Sequence, residues 1–69
     1  MNARFRKGRK YRFTRHANVW IDSRELTYVG FNKKEKDYVF LIPSLLRNQW
    51  CPRGWIEEGY VTYEEVKNG

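Results

Sequence analysis

Between residues 9 and 15 the chain alternates one residue at a time: Tyr11 and Phe13 are apolar, Lys10, Arg12 and Thr14 polar. Period-two alternation is the signature of a half-buried strand, so 9–15 is expected to be a strand with a cationic solvent face. Residues 17–22 alternate as well, Ala17, Val19 and Ile21 against Asn18, Trp20 and Asp22, which predicts a second strand after a bend at 16–18. A turn at 22–25 leads to a third, β-rich stretch over 26–31, where Gly30 marks a bulge or a close backbone approach. The charged connector 32–37 then gives way to Tyr38-Val39-Phe40-Leu41-Ile42, a strand apolar on both faces. Together 26–31 and 38–42 make the strongest hairpin signal in the chain.

Past Pro43 the pattern weakens. Residues 44–47 suit one helical or 3₁₀ turn, and 48–55 are expected to be irregular because Pro52 and Gly54 interrupt any regular element. Short strands are expected at 55–56 and 60–61. Thr62 to Glu65 has capping-box spacing, which predicts a brief terminal helix closed by Gly69. Tyr11, Phe13, Val29, Phe40 and Leu41 are the expected core.

Five short strands and one or two brief helical turns in 69 residues predict a mainly β fold: a small, strongly bent antiparallel sheet or barrel. The element order is similar to that of SH3-like small barrels, with strands, a charged hairpin, a short helical turn and a final strand. This resemblance lies in spacing alone and implies nothing about function. Residues 1–8 are expected to be a flexible basic arm with a turn at Gly8, and 9–69 a single domain. A chain this short buries only about 60% of its unfolded surface; its 12 aromatic residues compensate, because each can bury about 150–250 Å².

Charge changes the picture most. Residues 1–16 hold seven Lys/Arg and no acid, whereas 17–69 hold seven basic and eight acidic residues, a net −1. The overall +6 is therefore an N-terminal property. Arg4, Arg6, Lys7, Arg9, Lys10 and Arg12 are the candidate phosphate contacts, with arginine favoured for bidentate geometry. Phe5, Tyr11 and Phe13 among them, and Trp20 or Tyr28, are candidates for stacking on bases. The plainer reading is a solubilising tail whose charges protect a sheet edge. Trp20 lies on the polar face of its expected strand, although a small barrel more often buries an indole at its bends.

The segment Trp50-Cys51-Pro52-Arg53-Gly54-Trp55 offers a second surface, because Trp and Arg dominate interface hot spots. Trp50, Arg53 and Trp55, with the charged hairpin at 32–37, would then bind a protein partner, as in an accessory or inhibitory factor of a bacterium or mobile element, and the N-terminal cations would favour an acidic surface on that partner. The plainer reading has both indoles plugging the end of the barrel.

Chemistry is sparse. One His and one Cys cannot build a metal site with dispersed acids, and no motif brings them together as a nucleophilic pair. Adjacent Glu57 and Glu58 would face opposite ways on a strand. A non-enzyme without cofactor, metal or small-molecule substrate is expected. A lone cysteine and the absence of a long apolar run point to the cytoplasm and away from a membrane. The expected function is nucleic-acid binding with weak sequence specificity. Single-stranded DNA or RNA is favoured, because no recognition helix is evident.

Overall fold

A computed structural model describes residues 4–22 and 24–67. These form β1 (Lys10–Arg15), β2 (Glu25–Asn32), β3 (Asp37–Ile42), β4 (Arg47–Pro52), the short helix α1 (Arg53–Glu57) and β5 (Val61–Glu65). All pairings are antiparallel, and the five strands make one sheet in the order β4-β3-β2-β1-β5. The sheet is not closed: β4 and β5 are its edges, and α1 touches both. The chain is thus mainly β, as its alternation requires.

Alternation decides what is buried. Tyr11 and Phe13 of β1, Leu26 and Tyr28 of β2, Tyr38, Phe40 and Ile42 of β3, Cys51 of β4 and Val61 of β5 all turn inward. The expected core residues Val29 and Leu41 do not. Val29 is the extra residue of a bulge between Tyr28 and Gly30, which carries it outward, and Leu41 occupies an outward, half-buried position on β3. Gly30 marks the bulge, as expected, but among the described residues no close backbone approach accompanies it: its near neighbour is the side chain of Lys7, whose Cε is 3.7 Å from the point a Cβ would occupy, an ordinary contact.

Phe5 closes this core. Its ring lies 4.5–5.2 Å, centroid to centroid, from Tyr11, Tyr28, Tyr38, Phe40 and Tyr63. Tyrosine hydroxyls hold the backbone on either side: Tyr63 Oη accepts from Arg4 N (3.2 Å) and Tyr11 Oη from Arg6 N (2.8 Å). Gly8, at φ 83°, turns the chain so that its N–H donates to Tyr28 O, and Arg9 O then accepts from Tyr28 N. A positive φ of this kind suits glycine, which has no Cβ to clash. Residues 4–8 therefore lie against the sheet.

Five expectations fail because pairing with partners distant in sequence, which local pattern does not show, decides these segments. Residues 17–22 are not a strand, because β1 already has β2 on one side and β5 on the other. Residues 44–47 are not helical. Pro43 to Leu46 form the β3–β4 turn, with Leu46 left-handed at φ 52°. Residues 48–52 are not irregular but pair along β3, from Leu41 opposite Asn48 to Asp37 opposite Pro52. The expected strand at 55–56 is α1, and the expected helix at 62–65 is β5, held by five register pairs with β1. The β2–β3 hairpin stands as expected, its turn tied by Asn32 Oδ1, which accepts from Lys34 N and Glu35 N. The capping role foreseen for Gly69 lies outside the described residues.

Candidate nucleic-acid interface

The six predicted phosphate contacts are all exposed, but they are not equivalent. Among the described residues, Arg4, Arg6, Lys7, Arg9 and Lys10 make no ion pair. Arg12 does: its Nη2 is 3.4 Å from Glu25 Oε1, and Glu64 of β5 faces it in register on the other side. Two carboxylates beside one guanidinium leave it less charge to offer a phosphate. The acids of β5 thus run alongside the basic strand.

Five unpaired cations within residues 4–10 stand on a segment fixed by Phe5 and the two tyrosine hydroxyls. Lys7 reaches over Gly30. Lys10 and Arg12, outward on β1, line an open groove of about 500 Å³ with Arg24, Glu25, Pro43 and Ser44. Arg24 contributes a cation that sequence pattern shows only as part of a turn. Its guanidinium is held by Asp22, with Nη2 2.6 Å from Oδ2 and Nε 3.0 Å from Oδ1, and Nη1 donates to Ser44 Oγ at 3.1 Å. Hydrogen bonds from Arg24 hold the Asp22 carboxyl below the usual range, and Asp22 raises Arg24 in return.

The aromatic predictions divide. Phe5, Tyr11, Phe13 and Tyr28 are inside the ring cluster and cannot stack on a base. Trp20 is not core, because it is 85% exposed. Its neighbours explain how: Ile21 is buried and Val19 packs on the core, so the backbone is anchored while the indole between them points out. Gln49 of β4 fixes the same stretch. Its Nε2 donates to Trp20 O (3.2 Å) and Trp50 O (3.0 Å), and its Oε1 accepts from Asp22 N (3.4 Å).

Trp50 leaves β4 away from the core and is half exposed, whereas Trp55 of α1 packs partly on the core. The three indoles line one groove of about 570 Å³ with Leu45, Arg24 and Arg47 among its walls. The plug of the core is Phe5, with Trp55 at its margin and Trp50 outside it. Arg53 does not line this groove; its Nε pairs with Glu57 Oε1 at 2.9 Å. Sequence spacing brings Trp50 and Trp55 together, but Trp20 joins them only through the Gln49 bridge.

Among the described residues no group of His, Cys, Asp and Glu is placed to hold a metal, and no helix is long and apolar enough to cross a membrane. The buried Cys51 thiol is pushed up to about 12, chiefly by desolvation and then by Asp37. The chain matches no protein-family model, and no curated protein or solved structure matches it.

Proposed function

We propose that this protein binds nucleic acid, without chemistry of its own, through the cations of residues 4–10 together with Lys10's neighbours on β1 and the turn that follows. One observation carries the reading: five exposed cations without a carboxylate partner sit on a segment pinned to a folded sheet. A solubilising tail gains nothing from being pinned, whereas a binding surface gains preorganisation, which lowers the entropy lost on association. Arg4, Arg6, Lys7, Arg9 and Lys10 contact phosphates, Arg12 contributes less, and specificity for sequence is weak because phosphate contacts carry no sequence information. Single strands are favoured over duplex, since the one helix among the described residues spans only five residues and cannot fill a major groove. We read the order β4-β3-β2-β1-β5, with the helix between β4 and β5, as an SH3-like strand order in an open, bent sheet.

The test is fluorescence anisotropy with labelled single-stranded DNA, single-stranded RNA and duplex DNA at about 50 and 200 mM salt. Five phosphate contacts on a single strand correspond to a loss of about a hundredfold in affinity across that range. Arg9→Glu with Lys10→Glu should abolish binding, beyond what two charge reversals at Lys33 and Lys34 do. Binding no tighter than that of a free peptide of residues 1–16 overturns the proposal.

A further inference from the structure

We infer that the tryptophan groove is a base-stacking subsite for single-stranded nucleic acid, with Trp20 as its principal platform. The inference rests on the nucleic-acid reading above and adds what that reading lacks, a surface that distinguishes bases from phosphates.

Trp20 is the first support. An indole 85% exposed on a chain of 69 residues leaves a large apolar area in water while smaller side chains around it are buried. Folding does not require this, since Ile21 and Val19 already anchor the segment. Nor is Trp20 merely loose: two hydrogen bonds of Gln49, one to Trp20 O and one from Asp22 N, fix this stretch of backbone to β4. The loop spends its internal order on presenting one ring. Exposed, ordered aromatics of this kind mark binding surfaces.

The second support is shape. Trp20, Trp50 and Trp55 line a groove of about 570 Å³, within the range of about 300–1,000 Å³ common to ligand sites. Indole faces suit any base, because every base has a π-face and stacking tolerates sequence.

Charge and continuity identify the occupant. Arg24 and Arg47 against Asp22 leave the groove walls with one net positive charge, which favours an anionic ligand. Arg24 also lines the neighbouring groove with Lys10 and Arg12, and its hydrogen bond to Ser44 Oγ ties it to the turn that carries Leu45. The two grooves therefore meet at one fixed guanidinium, cationic on one side and aromatic on the other. A strand with phosphates on Lys10 and Arg12 turns its bases towards the indoles past Arg24. A proline-rich peptide would match the rings but has no use for the cationic groove beside them.

The test compares the full chain's binding to an oligothymidylate of 12 nucleotides, to an abasic oligomer of equal length and charge, and to an acidic proline-rich peptide. Intrinsic tryptophan fluorescence and anisotropy are both read. Base stacking predicts that the oligothymidylate binds about tenfold more tightly than the abasic oligomer and quenches the indoles. It also predicts that Trp20→Ala removes that preference while the salt dependence stays unchanged. Trp50→Ala, at a half-exposed position, should reduce it in the same sense, and circular dichroism checks that both variants fold. Equal, salt-sensitive affinity for both oligomers overturns the stacking subsite and leaves phosphate binding intact. Failure to bind either oligomer overturns both readings. Quenching by the peptide in preference to the oligothymidylate overturns the choice of occupant.

Discussion

Two side chains report on their surroundings through chemistry that can be read directly. Desolvation holds the Cys51 thiol at about 12, so almost none of it is thiolate near neutrality, and thiolate is the reactive form. Iodoacetamide at pH 8 should therefore leave the folded protein unmodified and label it fully in denaturant; rapid native labelling would show that β4 opens. Asp22 behaves in the opposite sense. Its carboxyl is lowered, first by its hydrogen bond with Arg24, so its contribution is present above the ordinary carboxylate range and lost as pH falls through the depressed value. Asp22→Asn should lower Tm at pH 7, and the gap from wild type should narrow below about pH 4. A constant gap across that titration would mean that the ion pair does not contribute.

The elements owe their stability to partners distant in sequence. β5 lies on β1 across some fifty residues, with Phe13 opposite Tyr63 and Thr14 opposite Thr62. The basic segment depends on Phe5 in the same way. Phe5→Ala removes the ring that touches five others, so residues 4–9 should detach while the sheet persists. Limited trypsin digestion should then cut after Arg4, Arg6 and Lys7 many times faster than in wild type. Equal rates would show that the tyrosine hydroxyl bonds alone hold the segment. If the pinned geometry supports binding, affinity for single strands should fall towards that of the free peptide, although no cation has been changed.

At the scale of the molecule, stability is small and concentrated. A chain of 69 residues carries about 3–10 kcal/mol in all, and Phe40 is fully buried against Phe5, Phe13 and Tyr28. Phe40→Ala should cost about 3–5 kcal/mol, enough to leave the protein largely unfolded at 37 °C by circular dichroism. A shift of only a few degrees in Tm would place the core elsewhere. The β1 strand, the β2–β3 hairpin, the bulge at Gly30 and the burial of Tyr11, Phe13 and Phe40 are legible in the sequence, because period-two alternation and glycine act locally. β4 and β5 are not. Asn48, Gln49 and Trp50 have no strand pattern, and Thr62 to Glu65 read as a capping box, yet backbone hydrogen bonds to an existing neighbour overrule both preferences. The candidate site divides along the same line. Clustering of cations near the N-terminus is a fact of the sequence, and so is their separation from the acids along the chain. That Arg12 is flanked by Glu25 and Glu64, that Phe5 is a plug, and that Trp20 joins Trp50 and Trp55 beside Arg24 were decided only by the fold. Sequence by itself determined the fold class and the sign of the surface, because composition and alternation act residue by residue. Tertiary structure decided which cations stay free and which rings face water, because both depend on neighbours brought together from opposite ends of the chain.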